Sequence, residues 1–326
     1  MAIRQKTIKK TSSNWEREAL EKIALSALSE QKIARRWNIF FKSLTFLFIF
    51  ILLFLGYGAE RTSKGGSGNH TALIELNGVI GEKDEVNAKD FFESIRRAYE
   101  SSGTRGIILK INSPGGSPVQ AGMINDEIKR QKLLHPKIPV YAVVEDICAS
   151  GGYYIAVAAD EIYVDKASIV GSIGVLMDGF GFTDTMKKIG IERRLMTAGS
   201  NKAMLDPFSP LNPKQQAFVQ EMLNEVHDQF IHVVKQGRGS RLKDSPEIFS
   251  GLFWNGEAAV KLGLADGFGN YDYVARELIK VEEIVDFTTY ESFADRFARK
   301  FGASLGSSMN NTLRSQLLQQ NHLSLH

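Results

Sequence analysis

The chain has 326 residues, of which 43% are hydrophobic, 10% aromatic and 24% charged, a globular composition that excludes a disordered or collagen-like protein. The single cysteine, Cys148, excludes an internal disulfide, and the six histidines form no HExxH motif, so we expect no metal and no cofactor. The 40 basic and 37 acidic residues are too evenly balanced to indicate a nucleic-acid surface, so we expect no nucleic-acid partner.

An apolar segment follows a basic leader at the N-terminus. Leu44 to Tyr57 carries no charge, and extension back to Trp37 gives about 31 Å of helix, the thickness of a bilayer core. Residues 1–43 contain ten Lys or Arg against four Glu, so the positive-inside rule places the N-terminus in the cytoplasm. We expect a basic cytoplasmic segment over 1–36, a transmembrane helix in contact with lipid over 37–58, and a flexible Gly/Ser-rich linker over 59–70.

A cleaved signal peptide is the alternative interpretation of this segment. Gly56-Tyr57-Gly58 resembles a small-x-small cleavage site. The charged leader is longer than that of a signal peptide, which favours a retained anchor. Both interpretations place the rest of the chain outside the cytoplasm.

From Thr71 onward, short apolar runs alternate with segments of helical periodicity. This alternation predicts an α/β fold with a parallel sheet and right-handed helical crossovers. The predicted strands are 71–80, 106–113, 139–146, 161–166 and 192–198, and the predicted helices are 88–101, 119–134, 155–160, 183–190 and 213–235. We assign one domain to 71–290 and a tail of uncertain order to 291–326, in which Phe293 to Phe301 is a candidate amphipathic helix and a solvated tail is the simpler interpretation.

Two glycine-containing turns follow predicted strands: Asn112–Gly116 reads NSPGG, and Ala149–Tyr154 reads ASGGYY. Ligands bind at the carboxyl ends of strands in open α/β sheets, so Ser150 would project into a site. The N–H groups of Gly116 and Gly151 would then converge on a developing oxyanion. Tight turns that serve only packing explain the same glycines, and the spacing leaves both interpretations open.

A nucleophilic serine needs a base, and no histidine lies in these turns. A lysine serves as a base only when it is neutral, which requires its pKa to fall several units from about 10.4 through burial in an apolar pocket. Lys202 is a candidate because Ala, Met, Leu and Phe flank it. Asp206 would oppose such a shift if its carboxylate faced the amine.

Four motifs together carry a resemblance to a known family: NSPGG, ASGGYYIA, GSIGV and GSNK. Their order and spacing, with Lys202 fifty-two residues after Ser150, resemble the short, single-repeat form of the signal peptide peptidase A family, peptidase family S49. Its members are membrane-anchored bacterial serine-lysine proteases with a fold related to ClpP and crotonase. The resemblance spans about Ala72 to Tyr273 and implies a ClpP/crotonase-like domain preceded by one membrane helix.

The resemblance implies a role for individual residues. Ser150 would be the nucleophile, Lys202 the general base and Ser172 the residue that orients the amine. Gly116 and Gly151 would form the oxyanion hole. An apolar pocket for hydrophobic peptides, such as cleaved signal peptides, would be lined by Ile173, Gly174, Val175 and Leu176. The run KAMLDPFSP from Lys202 departs from the family, which often has an acidic residue and Met-Ser-Pro there, and this leaves the shape of the loop open.

The resemblance also implies an assembly and a location. Short members have one catalytic repeat, so we expect a ring-like homo-oligomer in which different subunits supply Ser150 and Lys202 to one site. The catalytic domain would lie on the periplasmic side of the bacterial inner membrane. Crotonase-like thioester chemistry, a catalytically silent membrane scaffold and a quality-control protease for membrane proteins are the alternatives.

Other chemically active side chains are interpreted as structural. Cys148 is expected to be a small buried hydrophobe, Tyr153 a packing residue and Asp160 a structural partner. His227 and His232 lie five apart on a predicted helix, so they do not share the face that a metal pair needs.

Overall fold

The computed structural model describes residues 8–59 and 68–289. The chain divides into two units, and the described part of the first is one helix, α1 (Ile8–Ala59), which includes the predicted helix over 37–58. Across these two ranges, no helix combines the length and the apolarity needed to cross a membrane. Most of the predicted linker, the tail over 291–326 and its candidate helix from Phe293 to Phe301 lie outside the described residues.

The second unit, Ser63–Tyr290, is an α/β domain. Its strands are β1 (His70–Asn77), β2 (Thr104–Ser113), β3 (Val140–Ala149), β4 (Glu161–Val164), β5 (Ile169–Gly171), β6 (Phe253–Asn255), β7 (Gly267–Phe268) and β8 (Ile284–Asp286). Its helices are α2 (Ala88–Glu100), α3 (Pro118–Leu134), α4 (Gly151–Ala156), α5 (Thr183–Lys188), α6 (Pro213–Arg238), α7 (Gly256–Leu262) and α8 (Tyr271–Tyr273), the last continued by a π-helical turn, Val274–Ile279.

The eight strands form one sheet, in which six follow the order β6-β5-β3-β2-β1-β8, β4 pairs with β3, and β7 pairs with β4. All pairings are parallel except that of β5 with β6, which confirms the predicted parallel α/β sheet. Strand β3 has two neighbours on one side, because its first half pairs with β4 and its last residues pair with β5. The carboxyl ends of β2, β3 and β5 therefore meet at one edge of the sheet.

The central strands are buried on both faces. In β2, Ile107, Leu109 and Ile111 belong to the main core, whereas Ile108 points to a smaller cluster with Val274 on the opposite face. A strand that is covered on both faces must be apolar at consecutive positions. This explains why the sequence shows continuous apolar runs rather than strict alternation.

Two sequence predictions of secondary structure are wrong. Residues 192–198 are irregular rather than a strand, because no strand in the described ranges pairs with them, and Met196 is 95% exposed. The helix predicted over 155–160 begins earlier, at Gly151, and ends at Ala156. The chain turns after Ala156, and the carboxylate of Asp160 accepts a hydrogen bond from the Val140 N–H and pairs with Lys132.

A buried ion pair ties the end of α6 to the residues before β7. The Arg238 side chain is 1% exposed, and its two terminal nitrogens lie 2.8 and 2.9 Å from the carboxylate oxygens of Asp266. Burial opposes ionisation of Asp266, but hydrogen bonds from Arg238 outweigh it and hold the pKa of the carboxyl below its ordinary value. Both partners are therefore charged at neutral pH.

We predict that Asp266→Ala lowers the free energy of unfolding by about 3–5 kcal/mol, because it leaves the Arg238 guanidinium buried without a counter-charge. Urea denaturation followed by tryptophan fluorescence measures this change. The matched control is Glu257→Ala, which breaks the exposed pair of Glu257 with Lys261 and should leave the midpoint unchanged. Equal midpoints for the two variants would contradict the prediction.

Candidate active site

Ser150 occupies a strained backbone position between β3 and α4. Its φ of 51° and ψ of −120° lie in a region that favours glycine. The fold holds this conformation, because the Ser150 N–H donates to the carbonyl of Gly171 at 2.8 Å and its carbonyl accepts from Tyr154 at 2.9 Å. The serine is half-buried at the carboxyl edge of the sheet.

The turn after β2 packs directly against Ser150. A Cβ placed on Gly115 would lie 2.8 Å from both the Ser150 Cβ and the Gly151 nitrogen. Any larger residue at position 115 would push the two turns apart. Glycine is thus required here because of a close backbone approach beside the serine.

Two backbone N–H groups lie beside each other next to Ser150. Ile80 forms a parallel β-bridge with Gly116: the Ile80 N–H donates to the Gly115 carbonyl, and the Ile80 carbonyl accepts from the Ser117 N–H. The N–H of Gly116 itself therefore points away from Ile80. A Cβ placed on Gly151 would lie 3.3 Å from the Gly116 nitrogen. Within the described residues, neither the Gly116 nor the Gly151 N–H has an acceptor. This arrangement suits stabilisation of an oxyanion formed at a carbonyl that Ser150 attacks.

Ser172 lies at the same edge of the sheet as Ser150. Ala149 of β3 pairs with Gly171 of β5, so Ser150 and Ser172 are the next residues on neighbouring strands, which are about 5 Å apart. Ser172 also has a positive φ, 53°, and its N–H donates to the Leu252 carbonyl at 2.7 Å. The structure therefore brings together four of the sequence-predicted site residues: Ser150, Ser172, Gly116 and Gly151.

Lys202 is not among them. It lies in the segment 172–212 that leaves the sheet after β5, its side chain is exposed, and its N–H donates to Gly199. In the part of the chain that the structure describes, its amine makes no hydrogen bond to Ser150 or Ser172. Within the described residues, a single chain thus presents the serine and the two N–H groups without the Lys202 amine beside them.

The residues predicted to line a substrate pocket do not share one environment. Ile173 is fully buried in the main core, and its carbonyl lies 3.1 Å from the His227 Nε2 atom. Gly174 and Val175 are half-buried, whereas Leu176 is 81% exposed.

The side chains interpreted as structural make structural contacts. Cys148 is buried in the core, and burial raises the pKa of its thiol, which disfavours a thiolate nucleophile. The Tyr153 hydroxyl is buried and donates to the Leu264 carbonyl at 2.8 Å. Ile80 also shapes this site, although the sequence does not predict it. Its backbone orients Gly116, and an apolar side chain gives no indication of such a role.

A model of peptidase family S49 matches residues 132–285. The chain is 47% identical over 176 residues to a protein named Na(+)/H(+) antiporter NhaA from Brucella abortus, a match that covers 54% of this chain and 24% of that protein. It is 32% identical over 242 residues to a putative protease of Methanocaldococcus jannaschii, covering 72% of this chain and 77% of the relative. A putative signal peptide peptidase SppA of Enterococcus faecium is 28% identical over 240 residues, a match that covers 71% of this chain and 69% of that protein. The chain thus spans about a quarter of the Brucella protein and over two thirds of the other two.

Two solved structures are also similar. A mutant of the 1510-N membrane-bound stomatin-specific protease is 16% identical, with a TM-score of 0.38, over 69% of this chain and 96% of that chain. A mutant of ClpP1 from Listeria monocytogenes is 15% identical, with a TM-score of 0.39, over 61% of this chain and 91% of that chain.

We predict that Ser150→Gly is more stable than Ser150→Ala by about 1–2 kcal/mol, because glycine relieves the backbone strain that alanine retains. Thermal and urea unfolding of the two variants measure the difference. Ser101 is the matched control, since its φ of −73° and ψ of 115° suit any residue, and there the alanine variant should be the more stable. The same order at both positions would argue against strain at Ser150.

Proposed function

Because the chain belongs to peptidase family S49, we propose that it is a serine endopeptidase in which Ser150 is the nucleophile. The observation that carries the proposal is the placement of Ser150 on a strained turn at the carboxyl edge of the sheet, beside two N–H groups that have no acceptor among the described residues. A strained backbone that the surrounding structure maintains is a recurrent feature of functional sites. The same edge is where open α/β sheets bind their ligands.

The proposed reaction is acyl transfer. The Ser150 hydroxyl loses its proton to the neutral amine of Lys202 as its oxygen bonds to the peptide carbonyl carbon. The resulting oxyanion accepts hydrogen bonds from the Gly116 and Gly151 N–H groups. The protonated lysine then gives its proton to the leaving amine, and the C–N bond breaks. Water hydrolyses the acyl-enzyme by the same steps and restores the serine.

In this proposal a neighbouring subunit supplies Lys202, with the Ser172 hydroxyl orienting the amine. Support comes from the exposed position of Lys202 in a single chain. The same segment 172–212 also exposes large apolar side chains: Leu176, Met177, Phe180, Ile189 and Met196 are between 52% and 95% exposed. Exposed apolar surface of this kind marks an interaction site. Burial of Lys202 against such a surface in a ring-like homo-oligomer would exclude water from its amine, and an apolar surrounding favours the neutral form of an amine.

The proposed substrates are hydrophobic peptides, such as signal peptides after cleavage, processed at the bacterial inner membrane. The sequence supports this location through the apolar run from Leu44 to Tyr57 and the excess of basic residues before it. The proposed orientation places the N-terminus in the cytoplasm and the α/β domain on the periplasmic side. Gly174, Val175 and Leu176 would contact the substrate in the assembled oligomer, whereas Ile173 is buried in the main core.

We predict that a serine-reactive phosphonate modifies Ser150 of the detergent-solubilised protein, and that Ser150→Ala and Lys202→Ala both abolish modification and peptide hydrolysis, by at least about 10³-fold. Intact mass and peptide mapping locate the adduct. Alanine at each of the six histidines should leave activity largely intact. Loss of activity in a folded histidine variant would indicate a Ser-His site, and no labelling of a folded oligomer would favour a catalytically silent protein.

We also predict that Ser150→Ala and Lys202→Ala subunits complement each other. In a ring, a subunit that keeps Ser150 then meets a neighbour that keeps Lys202, so random 1:1 rings should recover about a quarter of the wild-type activity. Co-expression of differently tagged subunits, tandem purification and a peptide-cleavage assay measure this. Mixtures as inactive as either variant alone would place both residues of the dyad in the same subunit.

A further inference from the structure

The candidate base lies close in sequence to a carboxylate that would prevent it from being neutral. We define residues 199–206 as the Lys202 loop. Its N–H groups bond back along the chain in overlapping turns, from Lys202 to Gly199 at 3.1 Å and from Asp206 to Ala203 at 3.3 Å. Lys202 and Asp206 therefore lie in consecutive turns, four residues apart.

Both carboxylate oxygens of Asp206 are engaged by other side chains. Arg193 Nη1 lies 2.6 Å from Oδ1, and the Ser209 hydroxyl donates to Oδ2 at 2.6 Å. The Asp206 side chain is only 10% exposed although the surrounding segment is largely open to solvent. Hydrogen bonds from Ser209, the Phe208 backbone and Arg193 hold the pKa of Asp206 below its ordinary value, so the carboxylate is charged at neutral pH.

Arg193 is itself held in place by aromatic side chains. Its guanidinium lies 5.3 Å from the centroid of the Phe208 ring. Phe208 stacks on Phe182 with ring centroids 5.6 Å apart, and the Phe182 N–H donates to the Pro207 carbonyl at 2.7 Å. These contacts fix the guanidinium over the carboxylate instead of leaving it as a solvated surface charge.

Other charged groups on the elements around the loop do not replace Asp206. Helix α6 approaches through the Gln215 amide, which donates to Asn201, and contributes the cation of Lys214 at its first turn. On α5, Asp184 pairs with Lys187 at 3.7 Å. Among the described residues, no carboxylate lies within 4.0 Å of the Lys202 amine. Asp206 is the acidic group of the loop itself.

We propose that Arg193 is a positioning residue that binds the Asp206 carboxylate and thereby keeps it from pairing with the Lys202 amine. This inference rests on the proposed function, in which Lys202 must be neutral to accept a proton. A carboxylate within 4–6 Å of an amine stabilises its protonated form and raises its pKa by about 1–3 units. The ion pair with Arg193 satisfies the carboxylate with a cation that stays charged at every relevant pH.

The test is the pH dependence of kcat/KM for peptide hydrolysis by the full-length oligomer. Arg193→Met frees the Asp206 carboxylate. The acidic limb of the pH profile, along which kcat/KM rises as the base loses its proton, should therefore move to higher pH by about one unit. Activity at neutral pH should fall about tenfold. Arg193→Lys keeps a cation and should restore most of the profile. The double variant Arg193→Met with Asp206→Asn removes the freed charge and should return the limb to its wild-type position.

Arg194→Met is the matched control, because Arg194 is adjacent, exposed and paired with the exposed Glu192, and the pH profile of this variant should match that of the wild type. An unchanged limb in Arg193→Met, or a limb that stays shifted in the double variant, would overturn the proposal and leave Arg193 a role in loop shape only. A separate experiment tests the proposed function. If the Lys202→Ala variant hydrolyses peptides at the wild-type rate, Lys202 is not the base, and the proposed role of Arg193 is then also wrong.

Discussion

The backbone of Ser150 is the constraint on which the rest of the site depends. A non-glycine residue at this φ and ψ costs on the order of 1–3 kcal/mol, so the neighbouring elements must impose the conformation. They do so from two sides: the Ser150 N–H bonds to Gly171 of β5, and Gly115 after β2 packs against the serine. The pairing of β3 with both β2 and β5 therefore fixes the serine and the N–H groups of Gly116 and Gly151 as one rigid unit.

The sequence predicts this unit well because its determinants are local. Apolar runs predict the strands of a sheet buried on both faces, and the glycines after β2 and β3 mark the turns where backbones approach closely. Residues 112–116 and 149–154 lie at one edge of the sheet, as their positions after predicted strands indicate. The sequence does not predict that Ile80 orients Gly116, because Ile80 acts through backbone hydrogen bonds, which do not depend on the type of its side chain.

The segment 172–212 was predicted less well, for a physical reason. Residues 192–198 are predicted as a strand, yet a strand needs a neighbour with which to form hydrogen bonds, and the described sheet offers none there. Local pattern also does not show which partner a charged side chain selects. Asp206 lies four residues from Lys202 in the sequence, but its carboxylate binds Arg193, thirteen residues earlier.

The proposed mechanism uses one group of residues from the well-predicted sheet and one residue from the less well-predicted segment 172–212. The serine and the N–H groups belong to the sheet, where burial and strand pairing fix them within one chain. The proposed base, Lys202, belongs to an exposed segment outside the sheet. In the proposed mechanism, two conditions must therefore be met before Lys202 can accept a proton: a neighbouring surface must exclude water from the amine, and the nearby carboxylate must be bound elsewhere. Subunit assembly would supply the first condition and Arg193 the second. Because the first condition would be met only in the oligomer, a dissociated subunit would keep the two N–H groups beside Ser150 but would lack the surface that excludes water from Lys202. Proteolysis would then be confined to the assembled ring.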